Sequence, residues 1–181
     1  MLEIVKAPHS ILSQKTKPVA KIDNGILKLI EQMKKSLDSA TDPIGVGLAA
    51  PQIGKSLKIF IAKPGAKSKV LTFINPRVIK SAPVLAIDGF DKKTRKLEGC
   101  LSLPNIWGEV QRYSAIQLEY QDEGKKMHNK KFTGFISTII QHEIDHLNGV
   151  LFPKRVLEQN RTLYKSEKDE HGEDVFEEIK I

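Results

Sequence analysis

The segment Gln141-His142-Glu143-Ile144-Asp145-His146-Leu147-Asn148-Gly149 places two histidines four positions apart with a glutamate directly after the first. On an α-helix, residues four apart stand about one turn above each other on one face, so His142 and His146 project together and can clasp one metal ion. Glu143 then lies beside the open side of that ion, placed to work as a base rather than as a ligand. The bland alternative is a surface helix with two incidental histidines, and the H-E-x-x-H order argues against it.

Two histidines leave a catalytic site short of its usual third protein ligand. Glu158, Glu167, Glu170 and His171 follow the motif, and nothing distinguishes one from another. Cys100, the single cysteine, sits in Glu98-Gly99-Cys100-Leu101-Ser102-Leu103-Pro104. A lone cysteine is more often a small buried hydrophobe than a ligand. Here glycine and proline bracket it where the backbone can approach a ligand closely, and a thiol bound to a divalent ion is fully deprotonated. A third segment, residues 45–54, is dense in small residues and carries Gln52. It reads as a tight loop against a strand, or as a loop whose side-chain amide donates into a site.

The elements that must position these groups are partly visible. Asp23-Asn24-Gly25 ahead of Ile26, Leu27, Ile30, Met33 and Leu37 predicts a capped amphipathic helix ending near Asp42-Pro43. From residue 57 the pattern changes to the short β-rich runs 58–62, 69–76 and 115–120, divided by turn residues. Thr133 to Asn148 predicts a second helix, stopped by Asn148-Gly149. After it, residues 174–181 fit a final strand or a frayed end, and the charged stretch before them fits a helix. The order helix, strands, helix gives an α+β architecture. In it, antiparallel or mixed sheets pack around a central helix carrying the HExxH motif, with an N-terminal helix as partner. We expect one domain, with catalytic residues in 1–153 and a charged tail, 154–181, belonging to it.

At 181 residues, 40% hydrophobic and 28% charged, the chain has the composition of a packed globular protein. No membrane-length apolar stretch is present and the amino terminus lacks a signal-peptide pattern, so a cytoplasmic protein is expected. One cysteine fits a reducing compartment. The net charge of +7 is uneven: residues 154–181 carry six Lys/Arg and eight Asp/Glu, so the positive excess lies on the rest of the chain. Two basic runs, 92–96 and 125–131, read as solvated loops.

Three segments together resemble the peptide deformylase family: Gly45-Val46-Gly47-Leu48-Ala49-Ala50-Pro51-Gln52, Glu98-Gly99-Cys100-Leu101-Ser102, and Gln141-His142-Glu143-Ile144-Asp145-His146. Their order and spacing agree with that family, and the likeness runs to about Phe152. The resemblance implies hydrolysis of the formyl group from the N-terminal formyl-methionine of nascent polypeptides, releasing formate. It implies Cys100, His142 and His146 as metal ligands, Glu143 as base, and the Leu101 backbone N–H with the Gln52 amide as donors to the oxyanion. It also implies Fe2+ as the natural ion, with Ni2+, Co2+ or Zn2+ as substitutes. Helix geometry puts Ile139, Thr138 and Phe135 on the face that carries His142. With Val46 and Gly47 they make a mostly apolar slot suited to methionine. Charge complementarity and likeness to the family suggest a Glu98–Arg112 pair holding the cysteine segment.

Two rivals follow from the same residues. One is a peptidase whose metal is held by the two histidines and a glutamate. The other is a basic RNA- or ribosome-binding module, for which no aromatic-rich signature is present. Weak ribosome association of an enzyme acting on nascent chains is the milder form of this; neither a membrane nor specific DNA is expected as a partner.

Overall fold

The computed structural model describes residues 2–41, 43–82 and 97–180. Helix α1 spans Asn24–Asp38, α2 Phe135–Leu147 and α3 Phe152–Glu158. The strands are β1 Gly47–Ala49, β2 Ile59–Ala62, β3 Leu71–Ser81, β4 Glu98–Cys100, β5 Leu103–Gly108, β6 Ala115–Gln121, β7 Met127–Thr133, β8 Leu163–Lys168 and β9 Asp174–Glu178. They form a five-stranded sheet, β1-β2-β3-β6-β7, and a four-stranded sheet, β4-β5-β8-β9, antiparallel throughout. The basic run 92–96 lies outside the described residues.

Strand β2 shows why the five-stranded sheet is covered on both faces. Its four residues are apolar and fully buried, and successive side chains of a strand point to opposite faces. Ile59 and Ile61 join Leu29, Ile30, Met33 and Leu37 of α1. Phe60 and Ala62 join Ile139, Ile140 and Leu147 of α2, with Phe60 stacked on Phe73 at 4.5 Å. Each such large side chain contributes about 1.5–3 kcal/mol when fully buried. A third cluster, Cys100, Phe152, Val156 and Leu163, joins the smaller sheet to α3.

Helix α1 begins as expected, with the Asp23 carboxylate accepting the Ile26 N–H at 3.0 Å. It stops at Asp38, short of Asp42-Pro43, because the Ser39 hydroxyl turns back onto the Ser36 carbonyl and the Gly45 N–H caps Ala40. Helix α2 starts two residues later than expected. Thr133 pairs with Ala115 in the sheet, and Gly134, at φ 66°, makes the break between strand and helix.

Larger differences concern charged segments. The run 125–131 is mostly strand β7, not a loop, because the adjacent Asp122-Glu123-Gly124 turn folds it onto β6. Its lysines suit it to a sheet edge, where charge discourages further pairing. The charged stretch after residue 158 is strand β8 rather than helix, and β9 pairs with it from Lys168↔Asp174 to Tyr164↔Glu178. No helix among the described residues is long and apolar enough to cross a membrane.

Candidate metal centre

Cys100 ends β4, and a two-residue turn returns the chain into β5, so its side chain is presented from a tight hairpin. The amino-terminal segment braces that hairpin: the Ala7 N–H donates to the Ser102 carbonyl at 3.0 Å and Lys6 Nζ to the Leu101 carbonyl at 2.5 Å. His142 and His146 come from α2, one turn apart. Ligand atoms of Cys100, His142 and His146 all lie within 4.8 Å of one another, and all three residues are buried. Cys100 Sγ stands 3.2 Å from His146 Nε2. A tetrahedral ion with ordinary metal–sulfur and metal–nitrogen bonds separates two such ligands by about 3.6 Å. The donor set therefore fits one divalent ion, and one thiolate with two imidazoles is a borderline-soft set suited to zinc, iron or nickel.

Electrostatics favour the ligand form of the sulfur. Burial opposes ionisation of the Cys100 thiol, but His146 and His142 outweigh it and hold the group well below its ordinary range. The Ser102 N–H also points at Sγ, at 3.4 Å.

His142 is oriented from behind. Its Nδ1 lies 2.6 Å from Glu98 Oε1, which leaves Nε2 for a metal. Arg112 grips the same carboxylate with two donors, at 2.6 and 3.0 Å, and reaches Asp145 at 2.7 Å. Arg155 closes the chain onto Asp145 at 2.7 Å. Burial pushes the Glu98 carboxyl up, yet His142 and Arg112 prevail and bring it to about 2. The Glu98–Arg112 pair is thus present. The Glu98–His142 contact and the Asp145–Arg155 link join elements distant in sequence, and only Asp145, inside the helical motif, carries a local signal of them.

Gln52 is 1% exposed. Its Oε1 accepts the Ala49 N–H at 2.8 Å, so the amide nitrogen must face the site, 3.6 Å from Cys100 Sγ and 3.3 Å from Ser102 Oγ. The segment reads as strand β1 followed by a single 3-10 turn, Ala50–Ile53, rather than as a loop. Gly47 has a specific reason to lack a side chain. A Cβ there would meet the Glu143 carboxyl carbon at 2.9 Å and Ile139 Cγ2 at 2.9 Å.

Glu143 is 3% exposed, and its Oε2 has no hydrogen-bond partner among the described residues. An uncompensated buried carboxylate oxygen calls for a proton, a water or a substrate group. Burial lifts its carboxyl to about 7, against the pull of His142 and His146. His146 Nδ1 is likewise without a partner among the described residues.

A cavity of about 760 Å³ opens over this cluster. Val46, Gly47, Gln52, Leu101, Phe135, Thr138, Ile139, His142 and Glu143 all line it. Ile139 is buried, whereas Phe135, at the first position of α2, is 49% exposed and stands at the rim. Downstream of the motif, Glu158, Glu167, Glu170 and His171 lie on α3, on β8 or after it, outside the cluster, and none supplies a third ligand. Gln141 keeps its amide away from the ligands and binds the Tyr113 backbone from both sides, at 2.9 Å each.

A buried cysteine sulfur and two imidazoles, a neighbouring glutamate and an open cleft define a metal-dependent hydrolase. The model of the polypeptide deformylase family matches residues 1–162. The peptide deformylase of Chlorobium luteolum is 38% identical over 170 residues, covering 94% of this chain and 86% of that protein. The crystal structure of peptide deformylase from Thermotoga maritima superposes with a TM-score of 0.73 at 34% identity, over 86% of this chain and 97% of that one. The enzyme of Synechococcus elongatus, solved in complex with actinonin, gives a TM-score of 0.75 at 32% identity, over 85% and 79% of the two chains. This chain belongs to the polypeptide deformylase family. Its activity is metal-dependent hydrolysis of the N-formyl group of a polypeptide.

Proposed function

We propose that this deformylase works with Cys100, His142 and His146 as the ligands of a ferrous ion, for which nickel, cobalt or zinc can substitute. When bound, the ion supplies Lewis acidity, lowering the pKa of water from about 15.7 toward about 7 and polarising the formyl carbonyl. Glu143 removes a proton from the attacking water as oxygen adds to the formyl carbon. The Gln52 amide and the Leu101 backbone N–H meet the negative charge that develops on the formyl oxygen. Glu143 then passes the proton to the departing nitrogen, the carbon–nitrogen bond breaks, and formate leaves with a free amino terminus. Val46, Gly47, Phe135 and Ile139 hold the methionine side chain.

The observation that carries this reading is the convergence of three ligand atoms beside an unpartnered Glu143 oxygen at the base of one cleft. Helix α2 serves as the central helix of the architecture, supported by its packing on β1 and β2 and by the link from His142 to β4. Residues 1–153 and the tail 154–181 form one unit in this reading, supported by the pairing of β8 with β5. The enzyme acts on N-formylated nascent peptides in the cytoplasm, with weak ribosome association through its basic surface. Cosedimentation with ribosomes at low salt no greater than that of a neutral control protein would remove the last point.

The test is anaerobic purification, metal analysis and an assay of formate release from formyl-Met peptides. About one iron per chain and turnover abolished by a chelator are expected. Full turnover in metal-free protein would sink the proposal.

A further inference from the structure

Trp107 is the only tryptophan of the chain, and its indole is held from three sides. It stands opposite Gly99 in the β4–β5 ladder, so close that a Cβ at residue 99 would come within 2.7 Å of its Cζ3. Its Nε1–H donates to Ser166 Oγ at 2.9 Å, and Ser166 is buried. Phe176 meets the ring edge-on, with centroids 5.8 Å apart and planes at 84°. Ser166 and Phe176 are themselves cross-strand partners in the β8–β9 hairpin. Trp107, with Gly99, also lines the cleft over the metal site.

We infer that the carboxyl-terminal hairpin, Leu163–Glu178, is a positioning element of the cleft: Ser166 and Phe176 hold Trp107 as a wall for the peptide residues that follow the formyl-methionine. This rests on the deformylase reading and extends it to specificity. The methionine slot is assigned to residues of β1, the loop before it and α2, which leaves a wall from β5, in the other sheet, for the rest of the chain. A fixed indole face offers a large apolar surface to an extended peptide at little entropic cost. Phe176 is 42% exposed on an edge strand whose residues are all exposed. Its ring contact with Trp107 gives this otherwise solvated strand a task.

The experiment uses the full-length, metal-loaded protein and its Phe176→Ala, Ser166→Ala and Phe176→Tyr variants. Because Trp107 is the sole indole, fluorescence excited at the long-wavelength edge of the indole band, where the tyrosines do not absorb, reports on it alone. Phe176→Ala is expected to shift emission to longer wavelength and to raise KM for formyl-Met-Ala-Ser about two- to tenfold with kcat unchanged. Hydrolysis of formyl-methionine itself should not change, and Phe176→Tyr should restore the parent values. Unaltered emission and KM, or an equal fall in kcat for both substrates, would overturn the proposal. Absence of formate release by the parent protein would instead strike the deformylase reading. In that event, addition of Met-Ala-Ser still tests the wall, and an emission that does not respond overturns it.

Discussion

His142 Nδ1 and Glu98 Oε1 stand 2.6 Å apart, and the same carboxylate oxygen accepts from Arg112 Nη2 at 2.6 Å. One buried carboxylate therefore fixes the tautomer of a metal ligand while an arginine fixes the carboxylate. Such outer contacts typically change metal affinity 10–100-fold, as an order of magnitude, when removed. Glu98→Gln should accordingly lose metal to a chelator about 10–100 times more readily at neutral pH. Competition against a graded series of chelators measures it.

Arg112 is more than a partner of Glu98, since it also holds Asp145 at 2.7 Å and its side chain is only 9% exposed. Arg112→Ala leaves two buried carboxylates short of a cation. A destabilisation of about 3–5 kcal/mol is expected, which lowers Tm by about 6–20 °C in a domain of this size. Metal retention and rate should fall as well. A variant with parental melting, metal content and rate would show that the pair positions nothing.

Gly47→Ala tests how tightly the glutamate is seated. The added methyl group meets the Glu143 carboxyl carbon and Ile139 at 2.9 Å, and a catalytic group displaced by about 1 Å loses about 100-fold in rate. We expect kcat to fall by about that factor, with the far-ultraviolet circular dichroism preserved. An unchanged kcat would mean that Glu143 is not the proton carrier, or that it moves freely.

Gln52 has two jobs that the sequence presents as one. Its amide nitrogen faces Cys100 and its oxygen satisfies the Ala49 N–H. Gln52→Ala should lower kcat about 10²–10³-fold through the lost donor and stability by about 1–3 kcal/mol through the orphaned buried N–H. Steady-state kinetics and a denaturant titration separate the two. A stability loss with no change in kcat would leave only the structural role.

Cys100→Ser separates the deformylase arrangement from a peptidase with a carboxylate third ligand. Substitution should remove the metal or change which metal is retained, measured by elemental analysis after dialysis. Parental metal content and selectivity would favour the peptidase arrangement.

The residues of the centre were readable because their chemistry is local: the four-residue spacing of His142 and His146, and a lone cysteine between glycine and proline. Helix α1 was readable from its Asp23 cap and apolar spacing. What escaped depends on partners distant in sequence. β7 and β8 are rich in charge and carry little apolar alternation, so their strand identity comes from the neighbours β6 and β5. The role of Gly47 depends on a carboxylate nearly a hundred residues away, and that of Trp107 on a hairpin near the end of the chain. Asp145 lies within the helical motif, but its task depends on Arg112 and Arg155, which come from other elements.

X-ray absorption at the metal edge of the zinc-loaded protein probes the ligand set without reference to turnover. One sulfur at about 2.3 Å and two imidazole nitrogens at about 2.0–2.1 Å are expected. A first coordination sphere of nitrogen and oxygen alone, with no sulfur scatterer, would contradict the assignment of Cys100.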